Sequence, residues 1–244
     1  MRAQENQFDE TAPVRTGWLR ACLHGALGVL YPPQCVECGV RTAAPDVPLC
    51  PRCAAGIERA TPQAVGERLQ RLAAADVIAD ARSLWVFDAQ GALQSVQHAL
   101  KYQNQPHIGH TLGRWMADVV PTEAWMPDGF VPVPLHRQRW LERGYNQSET
   151  LTKGLAEATG VPSCPDILAR VRPTASQTGL ARAHRWRNVA GAFAASQPDR
   201  VAGRAWVVVD DVLTTGSTAA AAAHALLHAG ASQVFLCTLG MART

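Results

Sequence analysis

The stretch Val207-Val-Val-Asp-Asp-Val-Leu-Thr-Thr-Gly-Ser-Thr218 decides the fold. Three consecutive valines predict a strand buried on both faces, the habit of a parallel sheet covered by helices. Two adjacent acids follow, Asp210 and Asp211, and then five small residues, Thr214, Thr215, Gly216, Ser217 and Thr218. From Ser217 to Ala229 the pattern predicts a helix closed by Gly230. In a parallel α/β sheet ligands gather at the carboxyl ends of strands. The first amides of a helix lack intrahelical partners and carry positive potential, so a Gly-turned hydroxyl loop opening a helix is a nest for a phosphate monoester. Two carboxylates beside that nest would repel a phosphate unless a neutral group with vicinal hydroxyls lies between them. A ribose 5-phosphate meets both demands.

Working outward, hydrophobic segments alternate between strand and helix. Strands are predicted at Ser83–Phe87, Gly129–Leu135, Ala205–Asp210 and Gln233–Leu239. Helices are predicted over 60–80, around Leu93–Leu100 and Leu112–Val120, over Leu151–Ala158 with Gly160 as terminator, and over 217–229. This order predicts an α/β fold with a mainly parallel sheet and helices on both faces. Residues 170–190 lack periodicity and read as a long loop. Trp18 to Leu30 reads as a short amphipathic helix, stopped by Tyr31-Pro32-Pro33.

The chain has 244 residues, 47% of them hydrophobic and 18% charged, which is an ordinary globular composition. Its net charge of +3 does not demand a polyanionic partner, but the charge is uneven. No acid falls between Asp166 and Asp199, while Arg170, Arg172, Arg182, Arg185 and Arg187 do. Lys101 and Lys153 are the only lysines, so arginine as such carries little information here. No segment is long enough to span a bilayer, and the polar start MRAQENQFDE does not read as a signal peptide. Seven cysteines, an odd number, argue against a fully paired secreted framework, and a cytoplasmic location is expected.

Four of those cysteines form two knuckles, Cys35-x-x-Cys38 and Cys50-x-x-Cys53, separated by eleven residues. Each knuckle turns two thiolates toward one point, and two of them supply four soft ligands in the tetrahedron that suits Zn2+. Gly39 follows the second ligand, where the turn needs an open backbone. With all four positions cysteine, the zinc is expected to be structural, lending ~10–16 kcal/mol of binding energy to a lobe with little core. Disulfides are the alternative, and a reducing compartment works against them.

The opening stretch resembles the phosphoribosyl-diphosphate (PRPP) motif of type I phosphoribosyltransferases. The chain from Leu30 to its end resembles the ComF/GntX family. That resemblance is carried by the cysteine lobe, by LKY at 100–102, by RGYNQSETLT at 143–152, and by RVRPTASQTGLARAHRWRNVAGAF at 170–193. It implies a type I phosphoribosyltransferase-like sheet over 61–244 beside the four-cysteine lobe; with the helix read from its spacing that lobe spans 17–60, and residues 1–16 read as a loose tail. It implies PRPP as ligand, Mg2+ bound with it, and an association with DNA uptake in competent bacteria. Asp210 and Asp211 would hold the ribose, Thr214 to Thr218 the 5-phosphate, and Arg143 with Gly144 the diphosphate. Thr174, Gln177, Arg187 and Asn188 match the family's flexible loop, and Arg172, Arg182 and Arg187 are candidates to neutralise the leaving group. Lys101 is a further phosphate candidate. Asn146 and Gln147 are read as caps of the helix that follows.

Two other functions remain open at this level. Trp140 and Trp186 interleave with arginines, a pattern that stacks bases of single-stranded DNA, although packing beneath the loop is the simpler role for both. A PRPP or nucleotide sensor without turnover is the third. The cysteine lobe reads as a hood over the site, with a partner-binding surface as the alternative, and a contact of the protein with DNA-uptake machinery is compatible with all three functions.

Overall fold

The computed structural model describes residues 32–72, 74–88, 91–103, 105–172 and 191–243. The expectations for Trp18–Leu30 and for Thr174, Gln177, Arg182, Trp186, Arg187 and Asn188 lie outside the described residues. Four strands form one parallel sheet: β1 (Ala81–Phe87), β2 (Gly129–Pro132), β5 (Ala205–Leu213) and β6 (Gln233–Ala242), in the order β1-β6-β5-β2. A small antiparallel pair, β3 (Leu168–Arg170) and β4 (Phe193–Ala195), joins the chain on either side of residues 171–192. The predicted α/β class holds.

The valine run sits at the centre of the sheet because both faces of β5 are covered. Val207, Val208 and Val209 are all fully buried. Val207 and Val209 pack toward α3 (Ala92–Tyr102), α4 (Pro106–Met116) and α7 (Gln147–Thr159). Trp206 and Val208 pack toward α2 (Pro62–Gln70) and α9 (Ser217–His228), on the other face. This alternation follows from the two-residue period of a strand.

Both sheet edges are covered, which removes the hazard of open strand edges. Along β1, Glu58–Ala60 adds a short antiparallel bridge, with Val86 N–H donating to Glu58 O at 2.8 Å. Along β2, Phe130 N–H donates to Pro162 O at 2.9 Å, and Cys164 N–H to Phe130 O at 2.8 Å. Strand β2 stops at Pro132, earlier than predicted, because Pro132 and Pro134 cannot donate to a ladder. Strand β5 runs further than predicted, to Leu213, because β6 accompanies it to the Leu213–Met241 pair. Helix α2 is shorter than predicted: it ends at Gln70 and the chain turns, so that Leu72 and Ala74 lie beneath Gly216.

Helices α4 and α7 cross at close range. A Cβ on Gly154 would lie 1.9 Å from the His110 carbonyl oxygen, and one on Gly113 would lie 2.0 Å from that of Leu151. Only glycine allows the backbones to approach this closely. The contact fixes α7 against the sheet and thereby places the start of α7 beside β5.

The cysteine lobe docks on the flank of α4. Asp46 accepts from Thr111 Oγ1 at 2.9 Å and from Arg114 at 3.3 Å. Cys35, Leu49 and Cys50 are buried in the cluster that also contains Leu84, Trp85 and Leu112. No helix among the described residues is long and apolar enough to cross a membrane.

Candidate functional site at the tip of the central strand

Asp210 and Asp211 lie within the last turn of the ladder rather than beyond it: Asp210 pairs with Thr238 of β6. Five residues after Asp211, Gly216 adopts φ +70°, the left-handed conformation that glycine tolerates best, and caps α9. A Cβ there would also approach Leu72 Cβ to 3.1 Å, so both backbone and space call for glycine. Ser217 is buried at the helix start and its Oγ lies 3.1 Å from Thr215 Oγ1. Thr214, Thr215, Ser217 and Thr218 line one small cleft together with Asp210 and Thr238.

The two acids have different environments. Asp211 is 9% exposed. Its Oδ1 accepts from Val212 N–H at 2.9 Å, and Lys101 Nζ lies 2.7 Å from its Oδ2. That last contact is one of charge rather than an aligned hydrogen bond, since Oδ2 gains no directed donor. Asp210 is half-buried. Its Oδ1 accepts from Ser148 Oγ at 3.1 Å and from Asp211 N–H at 2.8 Å. Burial, and then the charge of Asp211, push the Asp210 carboxyl up to about 7, against the lowering effect of the Asp211 amide, Ser148 and Lys101. Each carboxylate of the pair thus has a different partner set, and Asp210 faces the loop.

The residues around the pair come from three separate stretches. Lys101 ends α3. Tyr145 donates its hydroxyl to Leu100 O, and the Arg143 guanidinium lies over the Tyr102 ring at 5.8 Å. The LKY and RGYN segments therefore meet. Arg143 ends α6 (Arg137–Arg143), and Gly144 caps it at φ +76°. Arg143 Nη1 donates to Gln147 Oε1 at 3.0 Å. Asn146 caps α7 as read from sequence, accepting from Ser148 N–H at 3.1 Å, and its Nδ2 ties back to Val133 O at 3.0 Å. Arg172 is exposed and is the last described residue before position 191.

Two contributors escaped the sequence reading. Ser148, two residues after a cap, reads as an ordinary helix opener, and only the fold aims it at Asp210. Arg170 lies in the field of Asp210: burial lowers its pKa and Asp210 opposes that. Its one sequence signal was membership of the acid-free stretch.

In the lobe, the Sγ atoms of Cys35, Cys38, Cys50 and Cys53 lie within 4.8 Å of one another, and all four are free thiols. Gly39 adopts φ +72° with open space around it, so the conformation alone selects glycine. Gly39 N–H donates to Cys35 O at 2.9 Å, closing the knuckle. Burial raises the pKa of Cys35, but backbone amides of Cys38, Cys50 and Glu37 outweigh it and bring the thiol down to about 6. A thiolate-stabilising nest with four convergent sulfurs fits a soft tetrahedral cation. The four cysteines can hold a metal ion.

A parallel sheet whose central strand ends in paired acids, followed by a glycine-turned hydroxyl loop that opens a helix, is the arrangement expected from the resemblance of this stretch to the PRPP motif. The chain is 35% identical to the DNA utilization protein YhgH of Salmonella typhimurium over 205 residues, 82% of this chain and 80% of that protein. It belongs to the ComF/GntX family. It is also 37% identical to YhgH of Escherichia coli K12 over 158 residues, 63% of this chain and 69% of the relative. Competence protein F of Haemophilus influenzae is 37% identical over 124 residues, 48% of this chain and 54% of that one. Among solved structures, the chain is similar to glutamine PRPP amidotransferase from B. subtilis, complexed with ADP and GMP. That match has a TM-score of 0.40 and 24% identity, and covers 58% of this chain but only 30% of the amidotransferase. No family model matches the chain.

Proposed function

We propose that the chain binds PRPP across the tip of β5 and transfers its phosphoribosyl group to an acceptor nitrogen, in the service of DNA uptake. The observation that carries this reading is the placement of Asp210 beside the Thr214–Thr218 loop in one cleft. The ribose hydroxyls donate to the carboxylates. The 5-phosphate accepts from the amides opening α9 and from the hydroxyls of Thr214, Thr215, Ser217 and Thr218. The diphosphate lies toward Gly144 and Arg143, whose planar fork suits its oxygens. Arg172 and Arg187 are further candidates to neutralise its charge. Lys101, held against Asp211, adds positive charge on the same side.

In the reaction the acceptor's lone pair forms the new C1–N bond as the C1–O bond to pyrophosphate breaks. Pyrophosphate takes the bonding pair, and the nitrogen's proton leaves to solvent. The developing oxocarbenium charge is stabilised by the carboxylates and the departing charge by the arginines. Mg2+ bound together with PRPP would supply further neutralisation of the leaving group. In the lobe, Cys35, Cys38, Cys50 and Cys53 would hold Zn2+ through four thiolates, an all-protein ligand set that would serve structure. The cytoplasm, where PRPP and reduced thiols coexist, is the compartment that fits. The relatives' names, DNA utilization protein and Competence protein F, tie the reading to DNA handling.

A second reading has its own support. Trp140 is 51% exposed on the helix that carries exposed Arg137 and Arg139, and Tyr102, 65% exposed, lies against the Arg143 guanidinium. Aromatics among guanidiniums suit single-stranded DNA without turnover. Calorimetric titration of PRPP with Mg2+ into wild type and the Asp210→Asn/Asp211→Asn double variant separates the readings. Heat with wild type and none with the variant supports the transferase site. No heat with wild type removes it, and also removes a PRPP sensor. Binding without pyrophosphate release when amines or bases are offered favours the sensor. DNA binding would survive the double variant and fall steeply with salt.

A further inference from the structure

A second cleft opens at the C-terminal ends of β1 and β6. Arg59, Arg68, Arg71 and Arg243 rim it, with Glu58 and Glu67. Ala64, Val86 and Met241 give it an apolar floor. It shares a wall with the strand-tip site: Arg68 lines the cleft, and its guanidinium donates to Thr214 O at 2.6 Å, at the start of the hydroxyl loop. Met241 of the floor is also the ladder partner of Leu213, the residue before Thr214. Adjacent strands lie about 4.8 Å apart, so a sugar across the tip of β5 comes within about 5–10 Å of this cleft.

Four arginines stand against Glu58 and Glu67 of the rim and against Asp118, which lies 3.4 Å from Arg59, and this leaves an excess of one positive charge. The internal pairs are weak competitors for a ligand. Arg71–Glu67 spans 3.8 Å and Arg243–Glu58 spans 2.5 Å, with all four side chains more than half exposed. Exposed pairs of this kind contribute about 0–1 kcal/mol. Guanidinium forks prefer carboxylate or phosphate, and a concave apolar floor with converging polar groups is the general form of a small-ligand site.

We infer that this cleft receives the acceptor, and that the acceptor carries a carboxylate or phosphate on an apolar body. The inference rests on the phosphoribosyl-transfer reading. Three probes test it on the full chain by calorimetry: benzoate, phenyl phosphate and, as a neutral control, benzamide. At least one anionic probe is expected to bind at least tenfold more tightly than benzamide, and the preference between the two identifies the anion. In the Arg71→Gln/Arg243→Gln variant, which alters exposed residues outside the PRPP site, the anionic probe is expected to lose at least tenfold in affinity while PRPP affinity stays within twofold. The Arg71→Lys/Arg243→Lys variant is expected to recover part of the loss. Equal binding of all three probes, or anionic binding indifferent to the glutamine variant, overturns the cleft assignment while leaving PRPP binding intact. Anionic probes that bind through the arginines in a chain that does not bind PRPP overturn the acceptor role, and the transfer reading with it.

Discussion

Lys101 Nζ rests 2.7 Å from Asp211 Oδ2, and the two side chains are only 24% and 12% exposed. The pair joins the end of α3 to the tip of β5, so one of the two acids holds a counterion before any ligand arrives. Removing one partner of such a pair leaves a charge with little access to water. Lys101→Met is therefore expected to cost about 2–3 kcal/mol, below the full value for a completely buried pair. The double variant Lys101→Met/Asp211→Asn is expected to recover more than half of that. Urea unfolding of the four forms measures the coupling, and strictly additive losses would show the contact to be energetically idle.

The raised pKa of Asp210 gives a pH signature. Its ordinary value is 3.8 and its folded value about 7, so the fold favours the protonated acid. That contribution to stability is complete below about pH 4 and is lost as pH rises through about 7. Wild type should lose stability relative to Asp210→Asn across this window, by denaturant unfolding at a series of pH values. Parallel curves for the two proteins would contradict the assignment.

Ser148 donates to Asp210 from a helix the motif does not include. An ordinary hydrogen bond is worth about 0.5–1.5 kcal/mol, so Ser148→Ala, which leaves the Asp210 carboxyl less firmly oriented, should weaken PRPP about two- to tenfold. Ser148→Thr, which keeps the hydroxyl, should restore most of that affinity. Unchanged titrations with Ser148→Ala would place the serine outside the ligand's reach.

The cysteine lobe should carry one zinc per chain, measurable by native mass spectrometry. Cys35→Ser is expected to lose the metal and lower the melting temperature, since metal affinity becomes folding energy in so small a lobe. A metal-free wild type melting at the same temperature as the loaded protein would refute the structural role.

The close crossing of α4 and α7 should tolerate no added carbon. Gly154→Ala places a Cβ 1.9 Å from a backbone oxygen, so the helices must separate. A loss of about 3 kcal/mol is expected, with weaker PRPP binding as Ser148 moves away from Asp210. Wild-type stability in this variant would mean that the helices do not cross as described.

Local order made much of this legible. A valine run, a Gly-turned hydroxyl loop and paired cysteine knuckles each carry their chemistry within a dozen residues, because strand burial, helix opening and chelation are short-range demands. The four-cysteine cluster, the turn at Gly39, the cap at Asn146 and the parallel sheet could all be read this way. Other features join residues far apart in the chain, and only packing brings them together. The sequence places Asp210 and Asp211 side by side as equivalents. The fold gives Asp211 to Lys101, 110 residues earlier, and Asp210 to Ser148, 62 residues earlier, and so makes their environments unequal. The same holds for Arg68, whose reach to Thr214 spans 146 residues. Desolvation and partner choice depend on what the closed chain brings within a few ångströms, and no periodicity in the sequence encodes that distance.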